Sequence, residues 1–172
     1  MTGRAHLRAA ALVTVLSSAV GLLLGLVWWL VTPLARLENR ADGVFGVGRQ
    51  AETAVAADGW FAVCGLVAGV VVALVAAFLV RERLAALVGL AVGGLLGSVV
   101  AWRVGAFLGP GPIQDTADGL QVGVRFDGPL DISALGVLLA WSMAAVAAFF
   151  AAVAGLDANR PAGSSPPDAP VQ

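Results

Sequence analysis

The chain has 172 residues, of which 59% are apolar and only 12% charged, with a formal net charge of −1. Soluble domains run at roughly 45–50% apolar and about 25% charged, so a soluble fold of this size would lack the polar surface to cover itself. The even charge balance gives no reason to expect nucleic acid as a partner, and the single cysteine, Cys64, set among apolar neighbours, reads as a small buried hydrophobe with no partner for a disulfide or a thiolate metal site.

Residues 1–8 hold Arg4, His6 and Arg8 and read as a short basic leader. The apolar run from Ala9 to Ala35 is far longer than the roughly 7–15 residues of a signal-peptide core, so it is expected to remain as a first span, about 9–35, with Trp28 and Trp29 at headgroup level. Residues 36–59 form a polar loop. Within it Gly43–Gly48 has the character of a short extended piece weakened by its glycines, Gln50–Ala57 that of a turn or two of helix, and Asp58 stands where it would cap the next span. That span, about 60–80, carries Gly65, Gly69, Ala73 and Ala77 at four-residue intervals. The tight Arg81-Glu82-Arg83 turn then predicts that the second and third spans are antiparallel neighbours.

From Leu84 to Trp102 there is no charge, and at about 1.5 Å per residue this stretch matches a hydrocarbon core roughly 30 Å thick. Ala85, Gly89, Gly93, Gly97 and Ala101 recur along one side of it, a ridge on which another helix can lie close. The third span is expected at about 84–108, stopped by Pro110 and Pro112. A second polar loop, 109–131, contains Asp115, Asp118, Arg125 and Asp127, and its Leu120–Phe126 segment alternates as a strand does. Asp131 or Ser133 starts a fourth span, about 132–156, whose ridge reads Gly136, Ala140, Ala144, Ala148 and Ala152. Residues 157–172, rich in Pro, Ser, Ala and Gly, read as a disordered tail. With Ser17, Gly21 and Gly25 in the first span, all four helices own a small-residue face, and the packing set is Gly21, Gly25, Gly65, Gly69, Gly89, Gly93, Gly97, Gly136 and Ala140. The expected fold is an all-α membrane protein, a four-transmembrane-helix bundle with two extracytoplasmic loops.

Four spans put both termini on one side. The leader, the Arg81-Glu82-Arg83 turn and the tail concentrate Arg4, Arg8, Arg81, Arg83 and Arg160 in short segments, whereas Arg36, Arg40, Arg49, Arg103 and Arg125 are spread over the long loops; the positive-inside bias therefore places the termini in the cytoplasm. Exclusive use of Arg over Lys suggests a G+C-rich bacterial genome, hence a bacterial inner (plasma) membrane. Each half of the chain is a span, a loop with a Val-Gly-rich piece and a returning span. Duplication would make these parallel repeats, although any protein of two hairpins has some of this symmetry.

The spans contain no Asp, Glu, His or Lys between their ends, which counts against a proton-coupled pump or a small multidrug antiporter. With His6 the sole histidine, neither a Ser-His triad nor a His metal cluster can form in one chain, and no Gly-rich strand-to-helix loop suits a phosphate; an enzyme and a cofactor are not expected. Asp115, Asp118 and Asp127 match no calcium loop and read as solvated. The candidate polar cluster at the outer surface is Arg103, Asp127, Asp131, Asp58 and Arg36. Arg103 starts below the interface and either snorkels, with or without an ion pair to Asp131 or Asp127, or forms an anion or lipid-headgroup site.

Trp28-Trp29-Leu-Val-Thr-Pro33, Ala54-Val-Ala-Ala-Asp-Gly-Trp-Phe61, Ala101-Trp102-Arg103 and Gly128-Pro-Leu-Asp131 resemble a family of small actinobacterial membrane proteins of unknown function, over roughly Leu12 to Leu156. The resemblance implies a four-span inner-membrane protein and supplies no catalytic residues. The expected role is that of an accessory or structural protein in the lipid bilayer, whose outer loops meet an envelope protein partner. The alternative is a small transporter or channel subunit working as a homo-oligomer, with only Thr14, Ser17, Ser18, Ser98 and Ser142 to line a polar path.

Overall fold

A computed structural model describes residues 2–80 and 82–158. Five helices and three short strands follow one another: α1 Thr2–Val31, β1 Arg36–Arg40, β2 Gly43–Gly46, α2 Gln50–Leu79, α3 Arg83–Leu108, α4 Ile113–Ala117, β3 Arg125–Asp127 and α5 Leu139–Ala158, the last entered through a 3-10 turn at Leu135–Leu138. The four long helices are each long and apolar enough to cross a membrane. Leu22, Leu23, Leu30, Val67, Phe78 and Leu84 among many others face outward from them, a surface that suits hydrocarbon and not water. The chain is an all-α, multi-pass membrane protein.

Prolines and backbone bonds set the helix ends. The final bond of α1 runs from the Thr32 N–H to the Trp28 carbonyl at 3.1 Å, and Pro33 prevents another turn. The last bond of α3, from the Gly109 N–H to the Gly105 carbonyl at 3.0 Å, is followed at once by Pro110. At the other end of the bundle His6 Nδ1 lies 3.0 Å from Glu82, and Arg83 holds Asp157 through two bonds of 2.6 and 2.8 Å. The start of α1, the α2–α3 link and the end of α5 thus share one face, and the strands lie at the opposite one.

The helices do not pair as the short link suggests. α1 packs chiefly on α3, and α2 on α5; α3 also meets α5, while α2 touches α3 only lightly. The register is constant. A Cβ added at Gly89, Gly93 or Gly97 would come within 2.9 Å of atoms of Val13, Ser17 and Ser17 respectively, and one at Gly25 would meet Ala101 O at 2.5 Å. Gly65 faces Trp141, and Gly69 faces Trp141 O and Ala145 N at 2.6 and 3.0 Å. In both pairs Val13–Gly89, Gly21–Gly97, Gly65–Trp141 and Gly69–Ala145 are spaced as Asp58 and Ala134 are, 76 residues apart. Partners that advance together run parallel, so α1 lies parallel to α3 and α2 parallel to α5. A long α1–α2 loop and a long second loop allow this; α2 and α3 touch only lightly although Leu79 and Arg83 are close in the chain.

The interior is filled rather than open. Trp28, Phe61, Leu90 and Trp141 are fully buried, with Ala73, Ala86, Ala101 and Ala145 between them. The Trp28 and Phe61 rings meet edge to face at 5.0 Å, and the indole N–H of Trp28 donates to the Ala57 carbonyl at 3.0 Å. Trp28 is therefore a core side chain and not a headgroup anchor. It lies against Gly105, whose missing side chain makes its room.

Other expectations are corrected in the same way. Gln50–Ala57 is helical as expected, but it continues through Asp58 into the span as one helix, α2, which begins ten residues before the apolar run, so Asp58 cannot cap that helix. The expected strand at Leu120–Phe126 is confined to Arg125–Asp127, and Arg36–Arg40, read as loop, is the central strand. Gly136 lies in the 3-10 turn, exposed, with open space where a Cβ would be; Ala140 is half-buried, and α5 buries Trp141, Ala145 and Phe149 instead. The leader joins α1, and Asp157 belongs to α5. Arg81, Arg160 and the tail from residue 159 on lie outside the described residues.

Candidate functional site

The two loops are joined into one cap. β1 pairs antiparallel with β2 on one side and β3 on the other, with Leu37 opposite both Gly46 and Phe126, and Glu38 opposite both Phe45 and Arg125. Alternation then sorts the side chains. Leu37, buried, shares one face with Asn39, Val44 and Phe126, half-buried above the helices; Arg36, Glu38, Arg40, Phe45, Arg125 and Asp127 share the other. Asn39 ties the loops further, its amide Nδ2 donating to the carbonyls of Ala117 and Leu120 at 3.3 and 2.8 Å, and its backbone exchanging bonds with Val124 and Gly123.

The outward face is a ladder of ion pairs. Glu38 sits between Arg40 and Arg125, at 3.0 and 3.1 Å, and Arg36 lies 3.1 Å from Asp127. The Arg125 bond, and after it the Arg40 bond, hold the Glu38 carboxyl below the usual carboxylate range. Arg40 also lies over the Phe45 ring at 5.4 Å.

Beneath the cap stand the two aspartates expected to start spans. Asp58 Oδ1 and Oδ2 accept from the Ser133 and Ala134 N–H groups at 2.8 and 3.0 Å, so it caps the approach to α5 from a neighbouring helix. Asp131 Oδ1 accepts from the Trp102 indole N–H at 2.7 Å and from the Ile132 N–H at 2.8 Å. Arg103 pairs with neither Asp131 nor Asp127; its guanidinium stacks on the Trp102 ring at 4.8 Å. Of the candidate outer cluster, the structure joins Arg36 to Asp127, sets Arg103 over the Trp102 ring and Asp131 at its indole N–H, and leaves Asp58 at the approach to α5.

Two depressions open here. A groove of about 330 Å³ is lined by Trp102, Arg103, Pro110, Pro112, Leu130 and Asp131, and a smaller one of about 200 Å³ by Gln50, Thr53, Asp131 and Ser133 among others. Among the described residues no three His, Cys, Asp or Glu side chains converge as metal ligands do.

Sequence reading missed Glu38, Asn39 and Arg125, the residues that knit the cap. No motif marks them. The only available signal was the opposite charge of Glu38 and Arg125 on two segments, one of which alternates.

Fold and cap together define the class: a four-helix, multi-pass membrane protein whose two loops on one face make a single small sheet. Comparison of the chain with protein-family models, curated proteins and solved structures returned no match.

Proposed function

We propose that the protein is an accessory component of a bacterial plasma membrane, threaded with both termini in the cytoplasm, that binds an envelope protein through the outward face of its cap. The observation carrying this reading is the joining of two loops into one sheet, across which Glu38 bonds Arg125, 87 residues away. Its outward face presents Arg36, Arg40, Arg125 and Phe45, aromatic and arginine side chains of the kind enriched in protein contacts. A filled bundle interior supports a binding role over a conducting one.

A photo-reactive residue at Phe45, with one at lipid-facing Val67 as control, tests the reading in native membranes. Adducts at Phe45 with one distinct protein, absent at Val67, are expected. Adducts with other copies of the chain alone would replace it with the oligomeric transporter or channel reading. Threading is tested separately by fusing a periplasm-active reporter to Gln172, where activity would reverse the orientation.

A further inference from the structure

The groove at Arg103 has a chemistry distinct from that of the cap face. The charge-free stretch Leu84–Trp102 between Arg83 and Arg103 spans about 28 Å at 1.5 Å per residue, the thickness of the hydrocarbon core. Arg83 and its partner Asp157 therefore mark one headgroup level, and Arg103 the other. Arg36, Arg40, Arg49 and Arg125 on the cap side each hold a carboxylate. Arg103, exposed, holds none among the described residues; its guanidinium carbon lies over Trp102, 4.8 Å from the ring centre. Trp102 is in turn fixed by Asp131, whose Oδ1 accepts two bonds while Oδ2 accepts none among the described residues.

The groove thus offers a cation over Trp102 and a carboxylate held at its indole N–H, both at headgroup depth, walled by Pro110, Pro112 and Leu130. Below Arg103 on the same helix stripe stand Val99, Leu96 and Val92, the last two exposed to lipid.

We propose that this groove binds a phospholipid with a zwitterionic ethanolamine headgroup, the phosphate on Arg103, the ammonium on Asp131 and an acyl chain along Leu96 and Val92. The carboxylate is what selects the class. It repels a purely anionic headgroup or free phosphate, and it gains hydrogen bonds from a primary ammonium that a trimethylated one cannot give. The proposal is independent of the protein-binding role of the cap.

The test is native mass spectrometry of the full chain released from nanodiscs holding equal phosphatidylethanolamine, phosphatidylglycerol and phosphatidylcholine. The wild type is expected to retain phosphatidylethanolamine preferentially, Arg103→Ala to lose about tenfold of that retention, and Arg103→Lys to keep part of it through its charge. Asp131→Asn is expected to move the preference toward phosphatidylglycerol. Unchanged retention in Arg103→Ala with an unchanged melting temperature, preference of the wild type for phosphatidylglycerol, or displacement of the lipid by inorganic phosphate would each overturn the assignment. Should Asp131→Asn lose the fold along with Trp102, the Arg103 pair of variants still decides.

Discussion

α1 meets α3 with glycines on both helices, Gly21 and Gly25 on one and Gly93 and Gly97 on the other, whereas α2 meets α5 with glycines on α2 alone, Gly65 and Gly69 lying against the backbone of Trp141 and Ala145. The separation of 76 residues, the one that joins Asp58 to Ala134, is nonetheless the same in both pairs. Equal register with unlike residues shows that close approach is reached either with glycines on both helices or with glycines on one alone. In lipid no hydrophobic drive favours one solution, and van der Waals contact decides. Trp141 connects the two solutions: its backbone lies on α2, and its ring reaches across to Gly97 of α3.

Gly97 is the place to break both contacts at once. A side chain there would meet Ser17 O and the Trp141 ring, each at 2.9 Å from its Cβ. Gly97→Leu is expected to abolish the folded bundle, read as loss of the monodisperse peak after detergent extraction; a normal peak would deny that the contact is tight. Trp141→Ala removes the link and leaves a void, at an expected cost of about 3–5 kcal/mol in an unfolding titration. Neighbouring glycines sharpen the α2–α5 side. Gly69→Ala places a Cβ 2.6 Å from Trp141 O and should cost about 1–3 kcal/mol, while Gly65→Ala, at 3.5 Å from the nearest atom, should change stability by less than about 0.5 kcal/mol. Equal effects of the two would refute the register.

The smallest effect is expected where the halves differ most, in the cap: a hairpin from the first loop, one short helix and one strand from the second. Glu38 has a lowered folded pKa, so its ion pairs contribute fully above the ordinary carboxylate range and are lost as pH falls through the folded value. Amide exchange at Asn39 and Val124, corrected for intrinsic rate, should therefore quicken below about pH 4 while the helices stay protected. Equal protection at neutral and acid pH would show that Glu38 does not hold the cap.

The four spans were legible because charge punctuates them: α3 runs from Arg83 to Leu108 almost as the apolar stretch predicts. Their pairing was not. A short link argues for adjacency, and nothing in one sequence outweighs that, although the small-residue faces that do pair were visible. β1 was hidden since Arg36-Leu-Glu-Asn-Arg40 has the composition of a solvated loop and becomes a strand through partners on both sides. The helical turns at Gln50–Ala57 were legible, but Asp58-Gly59 concealed that they run on into the span as one helix. Arg103 stood out by its depth alone; the hold of Asp131 on the neighbouring Trp102 is a relation between segments 29 residues apart.

The parallel pairing also bears on how the molecule is made. A chain inserted from its N-terminus delivers α1 and α2 first, yet these two touch only lightly, and the glycine face of each awaits a helix from the other half. The first hairpin must dwell in the bilayer with both faces uncovered, α1 until α3 arrives and α2 until α5 is complete. The cap cannot close before then either, because β1 is bordered by β3. Assembly is accordingly a late event, completed only once α5 has left the ribosome.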